Sequence, residues 1–420
     1  MSIPATSTPA PRFAALQHRN FTLLWIGLIV SNTGTWMQNV AQGWLVYQLT
    51  SSPFWLGMLA LSFALPMILL PLFGGAVIDR IDRIKLLYFT QTGAMLIAFI
   101  LAALTWTNTI NIYHILTASF IGSVLLAFDN PARQALIPDL VPLRDLMNAI
   151  SLNSATYTGA ALIGPALAGM MLAPFGAGTL FFVNGVSYLA VLIALTAMRN
   201  VQAFGSGRQH ATIGKSMLAG LTFAWKNKLI LALLGMSALA AIFGRSYQTL
   251  LPIFARDTWN GGPQGYGILL STSGAGALVG AFGLASIRNV KRQGAILIVS
   301  GITFSLTIIA FALSPNLWMA AILLFLSGIA ITVFGTIIST FIQIIVPNEI
   351  RGRMMALYSI TLIGLPSLGA MGSGSIAEML GGSSGAPLAV LMGGIIVGLV
   401  VLLTIPFFWQ RDIEKLKHLA

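Results

Sequence analysis

The sequence predicts an all-α polytopic membrane protein with twelve transmembrane helices in two pseudo-symmetric six-helix halves. Three observations predict it. Hydrophobic residues fill 57% of the 420 positions and charged residues only 8%, which leaves too little polar surface for a soluble domain. The apolar residues gather into twelve runs, at 21–49, 54–78, 86–107, 112–128, 147–173, 177–198, 229–255, 264–287, 294–313, 317–345, 354–379 and 385–409. At about 20 residues each, such runs cross a hydrocarbon core of about 30 Å as helices, and they lack the period-two alternation of a membrane barrel. Finally, the chain repeats itself. A shift of 205 lays Val141-Pro142 on Val346-Pro347, Thr156 on Thr361, Gly159 on Gly364, Gly164 on Gly369 and Gly169 on Gly374. A shift of 210 lays Gly34 on Gly244, Gln38 on Gln248 and Gly57 on Gly267, a weaker match.

These observations divide the chain into an N-terminal half (1–198), a linker (199–228) with an amphipathic stretch near Ile213 to Trp225, and a C-terminal half (229–420). Halves of this kind build secondary transporters, with the site near the bilayer midplane between them. Of the 22 bases, 20 fall in the tails and in the alternate loops on one side; only Arg245 and Arg256 lie elsewhere. That bias places both termini and those loops in the cytoplasm, so the expected location is the cell (inner) membrane. The net charge of +12 is therefore topology. Nucleic acid is excluded as a partner, because the bases are dispersed over loops and no aromatic platform accompanies them. The first dozen residues, MSIPATSTPAPR, lack an apolar core and read as a frayed tail.

Reactive constellations are missing from the sequence. It has no cysteine, hence no disulfide, thiolate nucleophile or cysteine-ligated metal. His18, His114, His210 and His418 are scattered, and no Ser/His/Asp or metal-ligand spacing occurs. A GxxxxGK[ST] loop, which a primary pump would need, does not occur either. Gly274-Ala275-Gly276-Ala277-Leu278-Val279-Gly280 imitates a dinucleotide fingerprint, but its last spacing is wrong and no strand precedes it, so close helix packing is expected there. No enzyme and no cofactor are expected.

The first run carries Ser31, Asn32, Thr35, Trp36, Gln38, Asn39, Gln42 and Gly43. Positions 32, 36, 39 and 43 share one helical face, and 31, 35, 38 and 42 the adjoining one, forming a polar stripe wider than a packing seam. Interhelical hydrogen bonding is the alternative; a cavity lining is the expectation. At the matching point of the second half stand Arg245, Tyr247 and Gln248. A buried arginine costs about 2.5–3.5 kcal/mol on insertion scales, which makes Arg245 a functional candidate facing water or a carboxylate. Arg256 and Asp257, further along that run, are expected to form an exposed pair.

The run 164–169, Gly164-Pro165-Ala166-Leu167-Ala168-Gly169, combines small residues that let helices approach with a proline that permits bending. Asp129 with Arg133, at the inner end of the fourth run, and Glu378, towards the outer end of the eleventh, are candidate coupling groups, because a carboxylate in apolar surroundings can change protonation as access changes.

Between the second and third runs lies Gly74-Gly75-Ala76-Val77-Ile78-Asp79-Arg80-Ile81-Asp82-Arg83-Ile84-Lys85. It resembles GxxxDRxGRxK, the signature of the major facilitator superfamily, with Gly75, Asp79, Arg80, Arg83 and Lys85 in place and Asp82 where the family has glycine. Gly164, Pro165 and Gly169 are similar to that superfamily's exporter motif in the fifth helix, with Ala168 replacing one glycine. With Pro131 to Pro142, they resemble the branch of enterobactin exporters and macrolide efflux proteins. The resemblance implies a proton-driven exporter of small amphipathic or lipophilic molecules, working by alternating access as a monomer in the bilayer. The motif aspartate, at Asp79, would latch the cytoplasmic side closed against the eleventh helix near Arg353-Met354, while Arg80 and Arg83 pair with acids such as Asp129 or Asp139. The first run lacks the acid that many multidrug antiporters of the superfamily carry. Proton-coupled uptake is the alternative within transporters, and a non-transporting receptor or scaffold the alternative outside them.

Overall fold

A computed structural model describes residues 13–78, 82–199, 221–286 and 292–408. Nearly all of them are helical. The elements are α1 (Arg19–Thr50), α2 (Pro53–Ile78), α3 (Arg83–Trp106) and α4 (Ile112–Leu140). A continuous run, Leu146–Ala197, breaks at Gly176 (φ 72°, ψ 170°), a conformation that glycine alone adopts readily, into α5 (146–175) and α6 (177–197). After these come α7 (Lys228–Thr258), α8 (Gly262–Ser286), α9 (Gln293–Ala312) and α10 (Leu317–Ile345). The last two are α11, in two pieces (Asn348–Ile363 and Leu365–Met379), and α12 (Ala386–Phe408). Among the described residues, 10 helices are long and apolar enough to cross a membrane, and the one containing α5 and α6 is 55 residues long. α1, at 32 residues, is not among the 10 because its polar stripe lowers its hydropathy.

Local sequence sets the ends. Ser51 takes a left-handed conformation (φ 47°) and stops α1; Pro53 then opens α2, at a position where its missing N–H costs nothing. Asp82 Oδ1 accepts from the Ile84 and Lys85 amides at 2.9 and 3.0 Å, capping α3. This gives the aspartate at the family's glycine position a structural purpose. Asn111 and His114 form a capping box on α4, and Asn316 caps α10.

Two expected boundaries need correction. α4 does not end near 128 but continues to Leu140 through Pro131 and Pro138, since an isolated proline removes one backbone bond without ending a helix that is packed on its neighbours. Asp129 and Arg133 are consequently one turn apart on the same helix. α11 starts at Asn348 rather than 354, with a jog at Gly364 just before Pro366.

α1 packs along the α5–α6 run, α3 against that run and α4, and α2 against α4. Likewise α8 packs on α10, and α9 on α10 and α12. The two groups meet where α5 crosses α8 and α2 crosses α11. Glycines make both crossings possible: a β-carbon at Gly169 would stand 2.8 Å from the Gly267 Cα, and one at Gly57 2.8 Å from the Met371 Cα. The Gly274–Gly280 segment is indeed a packing seam, with Gly276 against the Phe325 carbonyl and Gly280 against that of Ile329. Large apolar side chains such as Phe89, Phe282 and Leu403 point outward, at 69%, 70% and 75% exposure. Only lipid makes such a surface favourable.

Candidate substrate cavity

A cavity of about 590 Å³ lies among α1 to α6. Ser31, Asn32, Thr35, Trp36, Gln38, Asn39 and Gln42 of α1 all line it, joined by Phe63 and Met67 of α2, Thr90 and Gln91 of α3, Asp129, Arg133 and Gln134 of α4, and Asn153 and Tyr157 of α5. The face that spacing picked out is thus the face that turns inward. Part of it is anchored: Asn184 on α6 donates to Gln38 Oε1 at 2.8 Å, and the Thr35 and Tyr188 hydroxyls are 3.3 Å apart. Trp36 meets the Tyr157 ring edge to face at 6.0 Å, held there because Gly164 leaves room on α5; a β-carbon at Gly164 would stand 2.5 Å from that of Trp36.

Asp129 is 2% exposed and sits at the centre of a polar cluster. Thr90 Oγ1 donates to its Oδ1 at 2.9 Å, Gln91 Nε2 at 2.7 Å, and the Arg133 guanidinium pairs with Oδ2. Gln91 Oε1 and Arg133 Nε are buried and meet no protein partner. Sequence reasoning missed Thr90, Gln91, Tyr157 and Tyr188. The adjacent polar pair inside the apolar run 86–107 was the available signal for the first two.

The second half contributes differently. Arg245 is half-buried near the middle of α7, directly after a π-helical segment, Ala240–Gly244. Like Gln248, and against the expectation from its position in the sequence, it is not among the residues that line the cavity. Tyr247 is 2% exposed, bonded to Ser273 at 3.1 Å and packed on Phe311, which makes it core of the second group rather than part of this lining. Gln248 is half-buried on the same helix and outside the lining.

Of the motif residues, Gly75 falls within α2, while Asp79 and Arg80 lie outside the described residues. Arg83 reaches α4, donating to Asp139 Oδ2 at 2.5 Å and the Ala135 carbonyl at 3.0 Å. Of the two acids expected to pair with the motif bases, Asp139 is therefore the one Arg83 meets, and Asp129 belongs to Arg133.

At the end remote from the base-rich loops, the two groups of helices are stitched together. Glu378 is exposed and far from Asp129; its Oε2 accepts from Ser52 Oγ at 2.7 Å and the Phe54 amide at 3.4 Å, a carboxylate placed on the N-terminus of α2. Tyr47 donates to Asp257, and Arg256 lies 5.1 Å over the Tyr47 ring and bonds its carbonyl and Ser51 Oγ at 3.3 Å. The expected Arg256–Asp257 pair forms, at 3.4 Å with side chains 40% and 31% exposed, and both of its members also reach across to α1. Trp44 stacks on Tyr266 nearby. The cavity reaches the other way, through Gln134, Asn153 and the exposed Ser154, towards the base-rich end.

Comparison with known proteins agrees with this architecture. A staphyloferrin A transporter from Staphylococcus aureus is 27% identical over 256 residues, 60% of this chain and 64% of that protein. The multidrug efflux pump Tap of Mycolicibacterium fortuitum is 22% identical over 86% of this chain and 89% of its own length, and a macrolide efflux protein A of Streptococcus pyogenes is 22% identical over 86% and 90%. Among solved structures, an inward-facing bacterial homologue of the iron transporter ferroportin superposes with a TM-score of 0.74 at 17% identity, covering 94% of this chain and 99% of that one. The nucleoside transporter NupG gives 0.73 at 16% identity, covering 93% and 100%. The family model of the transmembrane secretion effectors matches residues 10–418: the chain belongs to this family of multi-pass major facilitator transporters, which are not enzymes.

Proposed function

We propose that the protein is a proton-driven exporter that moves small amphipathic or lipophilic molecules outward by alternating access, in the inner membrane, with both termini cytoplasmic and as a monomer. The observation that carries the reading is the α1 cavity, polar on one wall and aromatic on another, reached from the base-rich end and closed off by the Tyr47–Asp257 and Ser52–Glu378 contacts at the other. Twelve crossings in two halves, divided at 199–228, fit the two packing groups and the glycine crossings between them. Efflux relatives favour export over uptake.

Asp129 is the coupling group in this reading. Its carboxylate holds Arg133, Thr90 and Gln91 in one arrangement; a proton on it removes the charge that Arg133 answers and frees that guanidinium to move. Arg133 and the cavity lining then rearrange together, because interacting helices shift between discrete packings. Glu378 takes the part of a far-end latch rather than a second coupling group, since it lies at the opposite end of the cavity. Asp79, with Arg80 and Gly75, would close the base-rich end in the alternate state.

The test is efflux of a panel of dyes and drugs from cells expressing the wild type or Asp79→Asn, with and without a protonophore. Outward movement that the protonophore abolishes and Asp79→Asn reduces is expected. Gradient-driven accumulation inside cells would overturn export in favour of symport, and the absence of flux for every compound would remove the transport reading.

A further inference from the structure

A second cavity, of about 480 Å³, opens on the outer surface between α9 and α10 and shares no lining residue with the one among α1 to α6. Its floor is made of small buried residues, Ala330 at 4% and Ser300 at 7% exposure, and Ser300 donates its hydroxyl to the Leu297 carbonyl at 3.0 Å. Its walls carry larger side chains that turn outward, Val299 at 52% and Leu326 at 41% exposure. Short side chains on the floor and long ones on the walls leave the seam between the two helices unfilled on its outer side. A groove so apolar at membrane depth gives water nothing to bond, so a hydrocarbon chain fills it better. Its lining on α9 runs from Arg292 to Thr303, about 16 Å at the helical rise. That is about half of a hydrocarbon core of about 30 Å, the depth of one leaflet.

One end of the groove is charged. Arg292 belongs to the lining, directly ahead of α9 at the base-rich end, and its side chain is exposed. Among the described residues no ion pair includes it. Arg288 and Lys291 precede it in the sequence, and no acid occurs between Asp257 and Glu349. A zwitterionic headgroup would set its ammonium beside these bases with no carboxylate on α9 or α10 to receive it. A second copy of the chain seated on the same face would meet the same want, base brought to base without an acid. Bases at a membrane surface beside an apolar groove between helices suit an anionic headgroup.

We propose that this groove holds an anionic phospholipid of the leaflet at the base-rich end, with one acyl chain along the α9–α10 seam and the phosphate on the Arg292 guanidinium. Arginine pairs with phosphate oxygens through two parallel N–H bonds, which fixes the headgroup as well as attracting it. The site is separate from the candidate substrate cavity and does not depend on what that cavity carries.

The test uses the full-length chain in phosphatidylcholine nanodiscs. Because the chain has no cysteine, Leu306→Cys carries a single bimane on α9 just beyond the deep end of the groove, at a position 59% exposed and outside the lining. Leu96→Cys, 52% exposed at a similar depth on α3, is the control. The probes are doxyl-labelled phosphatidylglycerol and doxyl-labelled phosphatidylcholine, each added in increasing mole fraction. Quenching at Leu306→Cys is expected to saturate, at about fivefold lower mole fraction for the glycerol lipid, the preference one arginine near an anionic surface confers. At Leu96→Cys both lipids should quench alike and without saturation. Arg292→Gln should bring the two lipids together at Leu306→Cys, whereas Arg292→Lys should keep most of the preference, which separates lost charge from lost fold. Ala295→Trp, which fills the groove from its lining, should abolish saturation for both. Equal quenching by the two lipids in the wild type, an equal preference at the control position, or a preference that survives Arg292→Gln would overturn the site. No quenching by either lipid at Leu306→Cys would overturn it as well and would mean that protein, a second copy included, covers this face.

Discussion

Gly169 and Gly267 face each other so closely that a β-carbon on either would stand 2.8 or 2.6 Å from the other's Cα. The α2–α11 crossing repeats this: a β-carbon on Gly374 would stand 2.6 Å from the Pro53 carbonyl oxygen and 3.5 Å from the Gly57 Cα. The internal repeat lays Gly57 on Gly267 and Gly169 on Gly374, so the pair that meets at one crossing is the image of the pair that meets at the other. Both crossings stay closed only while the residues are small. Gly267→Ala should destabilise the far-closed arrangement by about 1–3 kcal/mol, the usual cost of overpacking. Paired spin labels at the exposed Leu49 and Met379, which leave Ser52 and Glu378 in place, should report a longer distance in the variant. An unchanged distance distribution would mean that the crossing is not what holds that end shut. The native chain has no cysteine, so the labelling sites would be unique.

Glu378→Ala removes the acceptor of Ser52 Oγ and of the Phe54 amide and uncaps α2. The contact is exposed, so a loss of about 0.5–1 kcal/mol is expected. With Tyr47→Phe, which deletes the donor to Asp257, the far end should open further. The same label pair should show the double variant populating the longer distance more than either single one.

Asp129→Asn keeps the shape of the cluster and removes its charge. Proton-driven efflux should fall by more than tenfold, about 1.4 kcal/mol or more in the coupling step, while exchange of labelled for unlabelled substrate without a gradient continues. If gradient-driven efflux persists at the wild-type rate, Asp129 is not the coupling group. Arg133→Gln should be harsher, since it leaves a buried carboxylate without its ion pair.

Arg83→Ala should lower thermal stability by up to about 3 kcal/mol, because Asp139, with a side chain 5% exposed, loses a partner within the protein. Asp82→Ala should cost about 1 kcal/mol through the lost α3 cap. Asp82→Gly, which restores the residue the superfamily has there, should cost less than the alanine. Differential scanning fluorimetry of the purified variants orders the three.

Sequence alone determined the membrane class, most helix positions and the inward face of α1. These are properties of composition and of 3.6-residue periodicity, which each segment records for itself because lipid and cavity select different side chains along it. It determined the glycine repeat as well, as identities without a meaning. Tertiary structure decided what those residues meet. Asp257 with Tyr47 and Glu378 with Ser52 are 210 and 326 positions apart, and no local pattern encodes a partner at such distance. Arg256–Asp257 therefore read only as a solvent pair, and Tyr247 as a cavity residue; packing keeps the pair but adds its contacts to α1, and it puts Tyr247 into the core. The reach of α4 through Pro131 was hidden for a related reason: proline and charges mark a loop locally, while burial against α3 and the Asp129–Arg133 pair hold the backbone helical. Interhelical contacts, chosen by the whole bundle at once, fixed the site.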